Sequence, residues 1–174
     1  MMDDLQEIME DFLVEAFELI EQMDQDLVEL ESNPEDLELL NGIFRVAHTV
    51  KGSSSFLNFD ILTELTHHME DVLNKARKDE LKITPDIMDV VLQSVDMMKA
   101  LLEAIKETST DADSGIEIKE ICAKFDQISN GEAPQVETAT AQEMAIEEIS
   151  AEIPTLEEPK EEIIPQAPIA QESQ

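Results

Sequence analysis

Apolar residues recur at spacings of three and four along most of the chain, and this spacing predicts a series of amphipathic helices. The first helix is predicted from Asp4 to about Glu31 and ends at 32–34, where serine and asparagine precede a proline. Its predicted inward positions are Leu5, Ile8, Phe12, Ala16, Leu19, Met23, Leu27 and Leu30. The acidic pair at 35–36 favours the start of a second helix, which reaches a break near 57–58. Its predicted inward positions are Leu37, Leu40, Ile43, Phe44, Ala47, Val50 and Ser54.

The next two helices have clear start and stop signals. Asp60 is the predicted N-cap of the third helix, and the basic cluster at 75–78 favours its C-terminus. The fourth helix is predicted to begin after Thr84, an N-cap followed by a proline, and to run to about Thr108. The inward positions are Ile61, Leu65, Met69, Val72, Leu73 and Ala76 in the third helix, and Ile87, Val90, Val91, Val95, Met98, Leu101, Leu102 and Ile105 in the fourth.

A shorter apolar pattern from Ile116 to Ile128 predicts a fifth helix. Short connections force neighbouring helices to run antiparallel, and four helices with one apolar face each close into a bundle. We therefore predict an all-α fold, an antiparallel up-down four-helix bundle with a fifth, C-terminal helix packed outside it. The composition agrees, because four glycines, 3% aromatic residues and no tryptophan or tyrosine fit a helical protein better than a β-sandwich or an α/β enzyme.

The periodic pattern stops at Gly131. The last 44 residues contain five of the seven prolines, no aromatic residue, and glutamate pairs separated by isolated apolar residues. Such a segment cannot bury enough apolar surface to offset its ordering entropy. We predict a bundle domain over 1–130 and an acidic, proline-containing, disordered linker over 131–174, and we interpret the chain as a fragment of a longer protein.

The charge of the chain limits its partners and its location. The net charge is −31, with 31 acidic and 10 basic residues up to position 130 and 11 and 1 after it. Both parts repel nucleic acid and anionic membranes, so we expect no nucleic-acid partner and no membrane insertion. Without a signal peptide or an apolar run of ~18 residues, the protein is predicted to be cytoplasmic. The single cysteine, Cys122, argues against a disulfide framework or a cysteine metal site and is interpreted as a buried apolar residue.

One histidine of the second helix offers chemistry that the rest of the bundle lacks. Residues 1–44 contain 15 acidic residues and no lysine or arginine, so Arg45 and Lys51, which flank His48, are the first positive charges of the chain. His48 falls at the edge of the apolar stripe, which places its imidazole at the surface. A neutral imidazole can act as a nucleophile through one ring nitrogen. Its phosphorylated form would carry about two negative charges, which Lys51 is placed to offset.

The surface around His48 is predicted to be small and polar on one side. Phe44, His48, Lys51 and Gly52 share one face of the helix. Gly52 costs a helix about 1 kcal/mol relative to alanine, and the serines at 53–55 continue the same surface. This pattern fits a docking face that lets another protein's active site approach the ring. It fits a weak, fraying helix end equally well.

Glu70 is the candidate partner of the imidazole. If the second and third helices are antiparallel with their connection near 57, His48 stands nine positions before it and 66–70 stand nine to thirteen after it. A carboxylate at that level can accept a hydrogen bond from one ring nitrogen, fix the tautomer and leave the other nitrogen exposed. His67 lies one turn from Glu70 on the same helix. Taken alone, Glu70 is more simply a solvated carboxylate on a helix surface.

The residues from His48 to Ser54 resemble the His-[Ser/Thr]-hydrophobic-Lys-Gly-small-small signature of histidine phosphotransfer domains. A wider similarity, over roughly residues 4–130, is to the N-terminal phosphotransfer domain of the CheA family of chemotaxis histidine kinases. The residues that carry this wider similarity are 40–48, 59–62 and 66–70. The serines that follow Gly52 depart from the glycine or alanine that relatives often have.

The resemblance implies a role for each residue that matches the family pattern. His48 would be the phosphoacceptor, Glu70 its hydrogen-bonded orienter, Lys51 the neighbour of the phosphate, and His67 an accessory group in the same network. The docking surface would include Phe44, Arg45, Gly52 and Ser53. His68 matches no position of the pattern and is interpreted as an exposed surface residue.

The resemblance also implies a phosphoryl carrier that depends on other domains. In the family, a separate ATP-binding kinase domain, acting in trans within a kinase dimer, phosphorylates the histidine. The phosphoryl group then passes to an aspartate of a response-regulator receiver domain. ATP and Mg²⁺ would be bound by those partners, and no cofactor or metal is expected in this chain. The chain has no clustered glycines of the kind that cradle phosphates, which agrees with a carrier.

Three other interpretations are open on the sequence. A metal-binding bundle would use His48, His67, His68 and Glu70, but di-iron bundles contain Glu-x-x-His twice, whereas here the order is reversed and occurs once. A purely structural or docking bundle would make His48 incidental and leave the Lys-Gly pair after it without a purpose. A stand-alone phosphorelay domain would share the phosphoryl-transfer chemistry of the chemotaxis kinase domain. The fifth helix and the long linker favour the chemotaxis kinase.

Overall fold

The computed structural model of the protein describes residues 2–132, with side chains from Gln6 onward. This part of the chain contains five helices and no strand. The helices are α1 (Met2–Ser32), α2 (Leu37–Phe56), α3 (Asp60–Arg77), α4 (Pro85–Thr108) and α5 (Lys119–Ser129). The predicted linker over 131–174 lies, apart from its first two residues, outside the described residues.

The first four helices form a closed ring around one apolar core. Helix α1 packs against α2 and α4, and α3 completes the ring by packing against the same two helices. Helix α5 lies on the outer side of α3 and α4, and its apolar residues Ile121, Cys122, Phe125 and Ile128 are buried there. The predicted all-α bundle with an external fifth helix is therefore confirmed. No helix in the described part of the chain is long and apolar enough to cross a membrane.

The core differs from the predicted stripes at a few positions. Ile8 is 45% exposed and Leu37 is 54% exposed, so these two predictions were wrong. Leu37 is the first residue of α2, and Ile8 lies near the start of α1, where it borders an open groove. In the middle of α1, Ile20 is fully buried and Leu19 only partly so. Helical spacing allows either residue between Ala16 and Met23, so neighbouring apolar residues could not be told apart by pattern.

Helix starts are capped partly as predicted. Thr84 caps α4 by accepting a hydrogen bond from the backbone N–H of Ile87 at 3.4 Å, as predicted. At the start of α3 the prediction was wrong, because Asp60 is the first helical residue and Phe59, at the cap position, makes no side-chain cap bond. The cap comes instead from Asp111, 50 residues later in the chain. Its Oδ2 accepts from the backbone N–H groups of Ile61 at 2.8 Å and Leu62 at 3.0 Å.

Asp111 is only 2% exposed and joins the α4–α5 connection to the start of α3. Asp111→Ala removes an acceptor and leaves two N–H groups at a helix start without a partner, so the free energy of unfolding should fall by about 2 kcal/mol. Urea unfolding followed by circular dichroism measures this change. Asp113→Ala, at an exposed position of the same connection, is the matched control and should change stability by less than about 0.5 kcal/mol. Equal midpoints for the two variants would contradict the cap.

Candidate functional site

His48 lies on the exposed side of α2, near the middle of the helix. Its side chain is 63% exposed, while Ala47 and Val50 beside it are buried in the core. The apolar neighbours therefore hold the backbone in place and leave the imidazole in solvent. This is the surface position that the amphipathic pattern predicts.

Glu70 of α3 lies beside His48. The distance from His48 Nδ1 to Glu70 Oε1 is 3.2 Å, and Lys51 Nζ forms an ion pair with Glu70 Oε2 at 2.8 Å. The Glu70 side chain is 12% exposed. Burial by itself would raise the pKa of this carboxyl, but the hydrogen bond to Lys51, the hydrogen bond to His48 and the two charges outweigh burial and lower the pKa. Glu70 is therefore ionised at neutral pH.

The ionised carboxylate determines the tautomer of His48. A carboxylate has only acceptor atoms, so Nδ1 must carry the proton that it donates to Glu70. In the neutral ring, Nε2 then holds the lone pair, and the side chain that carries it is mostly in solvent. The arrangement leaves an exposed ring nitrogen that can act as a nucleophile, with a half-buried carboxylate on the other side of the ring.

An aromatic and a cationic side chain support the same face. The ring of Phe44, one turn before His48, stacks near the imidazole with a centroid distance of 6.0 Å and an angle of 17°. The Arg77 guanidinium lies over the Phe44 ring at 3.8 Å, and it also donates hydrogen bonds to Asn74 and Asn41. Sequence reasoning treated Arg77 only as a charge at the end of α3. Its 33-residue separation from Phe44 left no local signal for the contact.

The predicted docking residues fall on one side of the ring. Arg45 and Gly52 are exposed, and Ser53 is half-buried. A Cβ atom added at Gly52 would meet no atom within 4 Å. Ser54 is buried, as its place among the predicted inward positions of α2 implies, so it does not continue the surface predicted for the serine run. Its hydroxyl bonds the Lys51 carbonyl oxygen and the Thr63 hydroxyl.

An open groove begins at Gly52 and Ser53 and runs between the end of α2 and the start of α1. Its apolar border includes Phe56, which is 76% exposed, and Ile8. Asp11 and Glu15 of α1 also line the groove. The surface beside the imidazole is thus open, with apolar and acidic parts.

The other two histidines lie elsewhere on α3. His67 is exposed and its Nε2 is 3.6 Å from Asp71. Among the described residues, the hydrogen bonds and ion pairs of Glu70 are with His48 and Lys51, and none joins His67 to either His48 or Glu70. The prediction for His68 was wrong, because this side chain is half-buried and its Nδ1 lies 2.9 Å from Oδ1 of Asp126 in α5.

Possible metal ligands do not gather around His48. Within residues 2–132, one ligand atom from each of Glu64, His68 and Cys122 lies within 4.8 Å of the others. The set that a metal-binding bundle would need, with His48 and Glu70 among its members, is not assembled in this part of the chain. The groups that the structure places around His48 are the Glu70 carboxylate and the lysine paired with it.

Comparisons with known proteins find relatives in both sequence and fold. A model of the Hpt domain family matches residues 7–108. The sensor histidine kinase CheAY of Helicobacter pylori is 75% identical over 116 residues, which cover 67% of this chain and 14% of that protein. The solution structure of the histidine phosphotransfer domain of CheA is 34% identical and superposes with a TM-score of 0.65, covering 70% of this chain and 91% of that one. The phosphorylated P1 domain of CheA3 in complex with CheY6 from R. sphaeroides, at 21% identity and a TM-score of 0.61, covers 72% and 94% and shares the fold.

Proposed function

Because this chain belongs to the Hpt domain family, we propose that it is a phosphoryl carrier of a chemotaxis two-component system with His48 as its phosphoacceptor. The observation that carries the proposal is the exposed imidazole of His48, whose Nδ1 is held by the half-buried, ionised carboxylate of Glu70. The chain spans 14% of the length of the Helicobacter pylori relative. The kinase activity of a complete protein would therefore belong largely to parts outside this chain.

The first step is a transfer from ATP held by a partner kinase domain. The lone pair of His48 Nε2 attacks the γ-phosphorus, a nitrogen–phosphorus bond forms, and the bond from phosphorus to the leaving oxygen of ADP breaks. The proton on Nδ1 stays in its hydrogen bond with Glu70, whose negative charge stabilises the positive charge that develops on the ring. Mg²⁺ would accompany ATP in the partner domain and neutralise the phosphate charge there.

The second step reverses the roles. A carboxylate oxygen of a receiver aspartate attacks the phosphorus, the nitrogen–phosphorus bond breaks, and its electron pair returns to Nε2. Because Nδ1 keeps its proton throughout, His48 ends in the tautomer in which it began. Glu70 therefore serves both directions of transfer as an orienting group.

Lys51 balances the charge of the phosphorylated state. The phosphoryl group adds about two negative charges to a chain that already has a net charge of −31. Lys51 Nζ is held by Glu70 one turn from His48, which keeps a cation next to the new anion. Arg77, above the Phe44 ring, adds a second positive charge on the same side of the bundle.

The partners follow from the chemistry of the two steps. One is an ATP-binding kinase domain, and the other is a response-regulator receiver. A domain of this fold, the phosphorylated P1 domain of CheA3, occurs in complex with CheY6, and we extend a partner of that kind to this chain. A cytoplasmic location is part of the proposal, because both steps depend on ATP and on soluble receivers.

Gly52 provides an approach path for these partners. Apart from the adjacent backbone of α2, no atom of the described residues lies within 4 Å of the position of a Cβ at Gly52, so packing within the bundle does not require a glycine. Gly52 is also one turn from His48 and borders the open groove with Phe56. A small residue here is explained if another protein's active site must reach Nε2 across it.

Substitutions at Gly52 should separate access from stability. Gly52→Ala should raise stability by up to about 1 kcal/mol because alanine favours a helix, and it should leave phosphorylation nearly unchanged. Gly52→Gln should keep the fold but slow phosphorylation by the kinase domain about 10-fold or more, because the side chain blocks alignment with the donor phosphate. Thermal unfolding and the initial rate of labelling measure the two effects. A Gly52→Gln variant with the native labelling rate would remove Gly52 from the approach path.

The proposed function is tested most directly by incubating the chain with a CheA-type kinase domain, Mg²⁺ and labelled ATP. Acid-labile phosphate on His48, followed by its loss when a CheY-type receiver is added, is the expected result. Phosphate at another residue would refute the assignment.

A further inference from the structure

Two pairs of side chains with metal-binding atoms meet where α5 packs on α3. Glu64 and His68 are one turn apart on α3, and Cys122 and Asp126 are one turn apart on α5. One ligand atom from each of Glu64, His68 and Cys122 lies within 4.8 Å of the other two. Asp126 Oδ1 is 2.9 Å from His68 Nδ1. The four residues thus form one polar cluster across the interface of the two helices.

We propose that Glu64, His68 and Cys122 bind a divalent transition metal of the Zn²⁺ class and that the metal fastens α5 to the bundle. The donor set is one carboxylate oxygen, one imidazole nitrogen and one thiolate sulfur. Zn²⁺ accepts all three kinds of donor, whereas Mg²⁺ and Ca²⁺ prefer oxygen ligands alone. From the sequence, no cysteine metal site and no metal were expected in this chain, because the donors of this mixed site meet only across the contact between α3 and α5.

The spacing of the three donors suits a small metal ion after a modest side-chain movement. Zn²⁺ binds nitrogen and oxygen at about 2.0–2.2 Å and sulfur at about 2.3 Å, so tetrahedral ligands stand roughly 3.5 Å apart. The observed limit of 4.8 Å requires the donors to close by about 1 Å. Glu64 is exposed and can rotate towards the other two donors, which come from less exposed side chains.

Asp126 prepares His68 for this role. Its carboxylate lies at Nδ1, which leaves Nε2 as the ring nitrogen available to a metal. A metal-bound histidine commonly donates its other N–H group to a carboxylate, which orients the ring and makes the bound nitrogen more basic. The contact between His68 and Asp126 was unexpected, because His68 was interpreted as an exposed surface residue. Metal binding would explain the contact.

The local charge also favours a cation. The carboxylates of Glu64 and Asp126 place negative charge beside the Cys122 sulfur. Among residues 2–132, no lysine or arginine forms an ion pair with either of these carboxylates. A divalent ion would supply the missing positive charge. On binding, the sulfur–hydrogen bond of Cys122 breaks, a metal–sulfur bond forms, and one proton leaves to solvent.

The cluster is separate from the phosphoryl site. His68 and Glu70 are two residues apart, so they point about 200° away from each other around α3. A metal bound at His68 would hold α5 without contacting His48. The two proposals therefore succeed or fail independently.

The test is a titration of the full 174-residue chain, reduced and freed of metal, with Zn²⁺ in competition with a chelating dye. We expect one tight site per chain, a rise in melting temperature on binding, and release of about one proton. Co²⁺ used as a spectroscopic probe should give a thiolate-to-metal charge-transfer band. Excess Mg²⁺ should not displace either metal.

Four variants decide between this site and general binding to an acidic surface. Zn²⁺ binding should be weakened by at least about 10–100-fold in each of Cys122→Ala, His68→Gln and Glu64→Gln. A loss of that size is typical even for residues that only hydrogen-bond to a metal ligand. His67→Gln, at the adjacent exposed histidine that lies outside the cluster, is the matched control and should bind like the native chain. Glu64→Gln changes an exposed side chain, so circular dichroism should show an intact fold and leave its loss of binding interpretable.

Native affinity in Cys122→Ala or Glu64→Gln would overturn the proposal. An equal loss in His67→Gln, or several weak sites displaced by Mg²⁺, would overturn it as well. In none of these cases would phosphorylation of His48 be affected.

Discussion

Replacing His48 with glutamine should abolish phosphorylation of the chain by a CheA-type kinase domain. The imidazole Nε2 is the nucleophile of the proposed reaction, and a glutamine amide has no comparable lone pair on nitrogen. The fold should be unaffected, because the side chain is 63% exposed and surface substitutions usually change stability by less than about 0.5 kcal/mol. Labelling with ATP measures the first effect, and circular dichroism with thermal unfolding measures the second.

Acid-labile phosphate on the His48→Gln variant would mean that another residue is the acceptor. The proposed function would then have to be abandoned.

Removing the carboxylate of Glu70 should slow phosphorylation without moving the acceptor. In Glu70→Ala and Glu70→Gln, the charge that holds Nδ1–H and stabilises the developing positive ring is lost. We expect a decrease of roughly 10–10³-fold in the phosphorylation rate, the range typical of positioned proton-transfer groups. Single-turnover labelling at saturating kinase domain measures this rate free of differences in docking.

A neighbouring carboxylate provides the control for Glu70. Asp71 pairs with the exposed His67 and does not contact His48, so Asp71→Asn should keep the native rate. An unchanged rate in both Glu70 variants would leave Glu70 with no role at the site.

Helices α1 to α4 were predictable because each buries one continuous stripe. The spacing of apolar residues reflects the 3.6-residue turn directly, and the start of α4 was marked by the local pair Thr84 and Pro85. The errors occurred at positions that fit the apolar spacing but are not buried. Ile8 and Leu37 fit the spacing, but they lie near helix starts where neighbouring helices do not cover them.

Some residues of the candidate site were predictable from the helical repeat, and others depended on how the helices pair. His48, Lys51 and Gly52 lie on one helix within four residues, so the helical repeat alone placed them on one face. Glu70 could be found only because an antiparallel pair of helices with a short connection brings equidistant residues level. The structure places it at hydrogen-bonding distance from His48, and it also shows Lys51 bound to Glu70 rather than facing solvent alone.

By itself, the sequence determined the helices, the bundle and the position of an exposed histidine beside a lysine and a glycine, because these depend on periodicities of a few residues. Tertiary structure alone decided the cap that Asp111 gives to α3, the Arg77 contact with Phe44, and the meeting of His68 with Asp126. The two residues in each of these contacts are separated by 33 to 58 positions along the chain. Which residues meet in this way depends on how whole helices pack, and a local pattern of side chains contains no signal for it.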